Sequence, residues 1–490
     1  MSPQTTIVLI ILLYMAATVA VGLYLSRRKK QKAAQLSNDD FLLASKSLGP
    51  FVLATTLFVA NTGGASTIGV ANNVRFQGLS ASWYVIAAGI GFFVVSFIAP
   101  YFRRSRSSTV PQIIGKRYGK ASHIFTACTS IAALFMATGA QIIGTASIIS
   151  LLAGLEFQIA AVITTVIVIL YTMLGGYKSV VAANMLHIIF IIFGMLAAML
   201  IMVHNPSIGG FSGLFEKADY MSATNAQGLN LLSMTAVGIP TILGYIAMYC
   251  FTFPTGQEVV QAYCSAKDGK SAKTGSILAA LISAAFALIP AIIGLIATTF
   301  IDGFMAEGAG RNAIAEATIH FAPPVVSGIV LASLVAATMS SASGNMIGTA
   351  TMFTNDIFRP YIQKGAQDDR KEILVSRITM FVIGVIGLVV ALTASNIISV
   401  MMAAFALRSA GPFAAFVCGL FYKNVTARAG LISIAIGTAI AIVWIFILGT
   451  PFGLAGMVPG GAVAFITIFV VSAIDRKLGL KPAPQIEYDA

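Results

Sequence analysis

Charge is scarce in this chain. Of its 490 residues only 10% are Asp, Glu, Lys or Arg, whereas a soluble domain of ordinary composition carries about 25%. That scarcity excludes a soluble enzyme, a disordered tail and a nucleic-acid binder. Acidic residues are rarer still, 17 against 30 basic ones. There are four cysteines, Cys128, Cys250, Cys264 and Cys418, each in or beside an apolar segment and none with a CxxC partner. They indicate neither a metal cluster nor a disulfide framework. No HExxH, Walker motif or nucleophile–base pair appears, so no enzyme is expected. The first apolar run is too long for a cleavable leader, and its basic cluster follows the run instead of preceding it. Apolar residues, by contrast, are plentiful: 58% of the chain, with a mean hydropathy of +0.90. Such a chain is an all-α polytopic protein of the cell membrane, in contact with the lipid bilayer over most of its surface.

Thirteen apolar runs can be read, at about 5–25, 50–74, 82–102, 123–153, 156–174, 180–204, 231–261, 275–301, 323–350, 372–394, 396–422, 429–449 and 454–475. Basic residues orient them. With the N-terminus outside, 26 of the 30 Lys and Arg fall in inside loops, and only Arg75, Lys217 and Arg311 fall outside. The positive-inside rule therefore gives an outside N-terminus, an inside C-terminus and an odd number of spans. It also accounts for the basic excess without an acidic partner. The inside segment Thr109–Gly119 is expected to form a short interfacial helix. The loop 205–230, with Pro206 and several glycines, is the longest outside. The whole chain, 1–490, is expected to be one transmembrane domain.

Two spans carry helix breakers in mid-run. The second contains Asn61, Thr62, Gly63, Gly64, Ala65, Ser66 and Thr67 in a row. Adjacent glycines among small polar residues make a poor helix interior, and a broken membrane helix is tolerated where it lines a cavity. Freed carbonyls there suit a cation and freed amides an anion; close packing of small residues is the other reading. The seventh span contains Pro254, Thr255 and Gly256, followed by Gln257 and Glu258, which gives either a break or a simple kink. The breaks are five spans apart. Interrupted segments at corresponding places in two halves point to a transporter site, and a five-span repeat inverts its own topology. Spans 2–6 (50–204) and 7–11 (231–422) would then form the core, with 5–25 and 429–475 peripheral. In the ninth span Ser340, Ser341, Ser343 and Asn345 supply hard oxygen ligands suited to an alkali cation.

The chain resembles the sodium:solute symporter family over essentially its whole length. The resemblance rests on LGP at 48–50, ANTGGASTIG at 60–69, TVPQIIGKRYG at 109–119, YTMLGGYKSVV at 171–181, GQEVVQAYCSAKD at 256–268, ATMSSASGN at 337–345 and GLFYKNVTARAG at 419–430. It implies thirteen spans with a leucine-transporter-type core and sodium as the coupling ion. The implied sodium ligands are the carbonyls of Val59, Thr62 and Ala337 and the hydroxyls of Ser340 and Ser341. The implied solute contacts are Gly63, Gly64, Ser66, Ser82, Tyr249, Thr252, Phe253 and Gln257. Many relatives carry an Asp where this chain has Asn184, so one sodium per cycle is expected. Met402 stands where a sugar transporter of the family has a polar contact, which speaks against a sugar.

Arg408 lies within the eleventh span, where an ionisable residue is costly and marks a functional candidate. Two roles are open: its guanidinium fork can hold a substrate carboxylate, or it can bond carbonyls at a broken helix. Glu258 is expected to pair with a basic loop residue. His187 is either a proton relay or a hydrogen-bonded packing residue. Together these features predict sodium-coupled uptake of a small organic solute, favouring a small carboxylate or an amino acid, by a transporter that works as a monomer. A sodium-independent facilitator and a membrane sensor module are the rivals.

Overall fold

The computed structural model describes residues 3–30, 47–105, 107, 109–224, 228–304, 312–364, 368–394 and 396–485. Several basic residues used for orientation, among them the side chain of Lys178 and all of Arg311, lie outside the described set. Among the described residues the expected apolar runs fall largely on helix, and extended segments pair only at a single bridge between Leu48 and Ala266. Seven helical stretches are long and apolar enough to cross a bilayer, eight with one bent pair counted, and five shorter apolar helices of 10–17 residues accompany them.

The chain begins with α1 (Pro3–Lys30) and α2 (Pro50–Asn61), the latter opened by a proline in its first turn. A π-helical turn, Ala65–Gly69, leads into α3 (Val70–Gln77). The turn back into α4 (Trp83–Val95) pivots on Gly78, whose φ is +58°. A Cβ there would lie 2.6 Å from the Leu231 carbonyl oxygen, so only glycine fits. Next come α5 (Ala99–Arg104) and the expected interfacial helix, α6 (Val110–Tyr118). The Thr109 hydroxyl caps α6 by accepting from the Gln112 amide at 3.2 Å, and Gly119 ends it at φ +87°.

The long α7 (Lys120–Ala153) follows, then α8 (Phe157–Ile189), a π-helical turn and α9 (Met195–Val203). The expected loop between the fifth and sixth spans is absent, because helical backbone runs through Gly175 and Gly176. On either side of that pair the helix meets the run of serines in the ninth span: Thr172 bonds Ser343 and Asn184 bonds Ser340.

The segment 205–230, expected to be the longest outside loop, carries α10 (Gly210–Thr224). The seventh span starts later than its apolar run: 231–238 are turns, and α11 spans Ile239–Thr252. Then come α12 (Gln257–Cys264), α13 (Gly269–Phe286), α14 (Leu288–Phe300) and a short helix, α15 (Ala313–Phe321). The ninth span is α16 (Pro324–Met352) with a π-helical extension, Phe353–Ile362. The rest are α17 (Asp369–Thr393), α18 (Ile397–Ser409), α19 (Pro412–Phe421), α20 (Ala427–Ile442) and α21 (Met457–Lys477). A 43° bend separates α18 from α19 beside Gly411, where a Cβ would lie 2.1 Å from the Ile434 carbonyl oxygen.

Burial separates core from rim. The α16 stretch is 83% buried and α7 78%, against 28% for α17 and 33% each for α20 and α21. The polar, small-residue helix α16 is therefore central, packed on α7, α1 and α8. The leucine-, isoleucine- and valine-rich α17, α20 and α21 present their side chains outward, as helices bathed in lipid do.

Candidate functional site

The second span breaks at the expected place. α2 ends at Asn61, and Thr62 leaves helical geometry at φ −89°, ψ +58°. Side chains close the freed groups: the Ser66 hydroxyl donates to the Asn61 carbonyl and the Thr67 hydroxyl to that of Gly63, both at 2.8 Å. The Gly64 amide donates to Gln141 Oε1 on α7 at 2.7 Å. A Cβ on Gly63 would lie 2.3 Å from that same oxygen, so any larger residue there would displace the Gln141 carboxamide. α16 faces the same break, with the Thr338 methyl 3.4 Å from a Cβ placed on Gly64.

Two of the expected ion ligands meet here. The Ser341 hydroxyl lies 3.3 Å from the carbonyl oxygens of both Val59 and Ala60. Ala337 and Ser340 sit on the same turns of α16, and both are buried along with Thr62. The Ser340 hydroxyl donates to Oδ1 of Asn184. Asn184, singled out as a departure from many relatives, is thus a wall of this oxygen-rich, uncharged cluster.

Beside the break lies a cavity of about 20 Å³, room for roughly one water. Its walls include Asn61 and Ala65 at the break, Tyr84 on α4, Gln141 on α7, Phe253 and Glu258 at the second break, Asn345 on α16, and Met401 and Phe405 on α18. The second break is real: Phe253–Gly256 separate α11 from α12. The hydroxyls of Tyr84, Tyr249 and Ser66 lie close together, though neither tyrosine hydroxyl makes a hydrogen bond of normal length.

Glu258 does not pair with a loop residue. Its carboxylate is bonded by Nη1 of Arg408 at 2.7 Å, the arginine standing in the last turn of α18. Arg408 Nε donates to the Thr252 hydroxyl at 2.8 Å, and the guanidinium lies 4.7 Å from the centre of the Phe405 ring. Its Nη2 is buried without a hydrogen bond.

Of the expected solute contacts, Phe253 lines the cavity; Gly63, Gly64 and Ser66 build the break beside it. Tyr249 stands behind, in edge contact with Tyr84, and Thr252 supports Arg408. Two expected contacts are turned away. The Ser82 hydroxyl donates to the Leu79 carbonyl in the turn before α4, and Gln257 Oε1 accepts from the Val110 amide of α6. His187 takes the packing role, with Nδ1 3.0 Å from the Tyr14 hydroxyl on α1. Gln141 went unread in the sequence. Its signal was present, a lone amide side chain within an apolar span, MATGAQIIG, and polar residues inside a membrane mark function.

The model of the sodium:solute symporter family matches residues 41–437. The chain belongs to that family. This symporter is 26% identical to the sodium/glucose cotransporter of Vibrio parahaemolyticus, over 91% of this chain and 86% of that one. It is 23% identical to the osmoregulated proline transporter OpuE of Bacillus subtilis (95% and 94%) and 25% identical to a sodium/proline symporter of Staphylococcus aureus (92% and 90%). In fold it resembles a Na+-coupled sialic acid symporter solved in a substrate-bound outward-open state, with TM-score 0.79 and 18% identity over 98% of this chain and 99% of the other. Mhp1, a nucleobase-cation-symport-1 family transporter, shares the architecture at TM-score 0.57 and 15% identity, over 90% and 96% of the two chains. Membership makes this an integral, multi-pass, sodium-coupled solute transporter and not an enzyme, and it sets aside the facilitator and sensor readings.

Proposed function

We propose that this symporter carries a small zwitterion of the amino-acid type, with one sodium bound at Val59, Thr62, Ala337, Ser340 and Ser341. The observation that carries the substrate reading is the Glu258–Arg408 pair at the cavity wall. Glu258 lines the cavity with both carboxylate oxygens 2.7 Å from Nη1 of Arg408, and Arg408 keeps one other guanidinium nitrogen unbonded. A zwitterion can satisfy both without adding net charge to a buried site. A bare monocarboxylate would bring a second anion against Glu258. Tyr84, Phe253 and Phe405 suit the substrate's apolar body and its ammonium. Two of the relatives are named for proline, which has this charge pattern.

A cavity of about 20 Å³ is too small for any organic solute, so its walls must part to admit one. Alternating access follows, with the two broken helices moving against their neighbours. The topology adopted is thirteen spans in a single domain, N-terminus outside, with a five-plus-five core and a monomer as the working unit. Sodium drives the cycle only by binding the solute-ready state better than the other. The test is uptake into proteoliposomes of labelled amino acids, monocarboxylates, sugars and amines, with and without an inward sodium gradient. Sodium-driven accumulation of an amino acid supports the reading; accumulation of a monocarboxylate or sugar, with no amino acid competing, refutes it.

A further inference from the structure

Away from the central cavity, a second concavity opens on the lipid-facing surface. It lies between α7, the π-helical end of the ninth span and α17, walled by Cys128 and Phe135, Phe353 and Phe358, and Ile378 and Val382. Its volume is about 550 Å³, in the range of about 300–1,000 Å³ that holds small ligands. Its two threonines are already committed: Thr349 donates to the Asn345 carbonyl and Thr379 to that of Val375, each at 2.9 Å within its own helix. No polar group is left to orient a polar ligand, so the occupant is hydrocarbon.

Hydrocarbon gains little by leaving one apolar medium for another. A chain that stays must fit the groove and be anchored elsewhere. The anchor is at the groove's basic end. Arg377 directly precedes the wall residue Ile378 and is exposed, as are Lys120 at the start of α7, Lys364 and Arg370. Lys120 lies 4.4 Å from the Tyr361 ring centre, at the tip of the π-helical wall. The neighbouring acids are mostly spent: Asp368 pairs with Lys371 and Glu372 with Arg359, leaving Asp369. The rim is therefore net positive over a wholly apolar slot.

We propose that this groove binds one acyl chain of an anionic phospholipid from the leaflet on the basic face, its phosphate held by Arg377 and Lys120. The full chain is reconstituted in phosphatidylcholine nanodiscs containing a small fraction of phosphatidylglycerol, with one of the two lipids brominated in its chains. Phe135→Trp places a reporter in the groove. Brominated phosphatidylglycerol should quench it with about fivefold preference over brominated phosphatidylcholine, the factor that one basic side chain near an anionic surface supplies. The preference should vanish in a variant that also carries Lys120→Gln and Arg377→Gln. Equal quenching by both lipids, or a preference that survives loss of both charges, overturns the site. Native mass spectrometry gives a second reading on the unreported protein. One phosphatidylglycerol should remain bound per chain and be lost in Ala132→Phe, which fills the slot; unchanged retention in that variant also overturns the proposal.

Discussion

Neutralising Glu258 while keeping its shape, Glu258→Gln, strands Arg408 in a site where its side chain is 2% exposed. The two groups meet at 2.7 Å. Two unit charges about 4 Å apart attract by about 4 kcal/mol at an effective dielectric near 20, and breaking a buried pair costs about 3–5 kcal/mol because the remaining charge has no counterion. Arg408 keeps its bond to Thr252 and its contact with Phe405, which places the expected loss toward the lower figure, about 3 kcal/mol. Arg408→Gln should cost a similar amount. The double variant removes both charges, so its cost should fall short of the summed single costs by about 2 kcal/mol or more. The assay is denaturant unfolding of purified protein in one detergent, run as a four-member cycle, with sodium-driven uptake measured in parallel. Additive costs would refute the coupling. Stability that recovers in the double variant while uptake stays lost would place the pair in the solute site; joint recovery of both would make it a structural strut.

Other perturbations follow from the same geometry. Replacing Ser340 and Ser341 together by Ala should raise the sodium concentration for half-maximal uptake by about tenfold or more, as loss of about 1.5 kcal/mol of ligation implies; an unchanged sodium curve would remove the cluster from the ion site. Gly63→Ala pushes the Gln141 carboxamide off the Gly64 amide and should cost about 1 kcal/mol, the worth of that hydrogen bond, and lower uptake; wild-type stability, measured by thermal unfolding, would contradict the close approach. Asn184→Asp puts a carboxylate against Ser340 and should steepen or left-shift the sodium dependence of uptake, whereas an indifferent curve would separate Asn184 from the ion. Arg117→Gln should expose the segment around Lys481 to trypsin in inside-out vesicles, because Arg117 bonds the carbonyls of Ala483 and Pro484 at 2.7 and 2.5 Å; a segment as protected as in wild type would disprove the clasp.

The elements legible in the sequence were those whose cause is local. Gly63–Gly64 and Pro254–Gly256 break helices wherever they stand, and Thr109, Pro111 and Gly119 bound α6 by caps alone. The proposed ion cluster was legible because adjacent serines, Ser340 and Ser341, inside a membrane span need a reason. What escaped depends on partners distant in the chain. Glu258 finds Arg408 150 residues away through the packing of the helices that carry them, which no local pattern announces. Ser82 and Gln257 carry suitable chemistry, but a local carbonyl claims one and a distant amide the other. The glycine pair at 175–176 misled in the opposite sense: it reads as a loop, yet a helix held in apolar surroundings keeps its own hydrogen bonds through such residues.

The clasp at Arg117 also bears on how the protein is made. This side chain is among the largest fully buried ones, and its guanidinium bonds carbonyls at Tyr422, Lys423, Ala483 and Pro484. The partner at Ala483 lies 366 residues further along. At a synthesis rate of about 5–20 residues per second, Arg117 waits roughly 20–70 seconds for its last acceptors. Until then α6 closes only against elements made earlier, α7, α19 and α20, and the guanidinium lacks two of its four carbonyl acceptors. The nascent transporter therefore seats this side chain late, and synthesis that stalls shortly before Ala483 leaves an inserted bundle with one corner unsealed, a mark by which a protease can distinguish it from a chain whose clasp has closed.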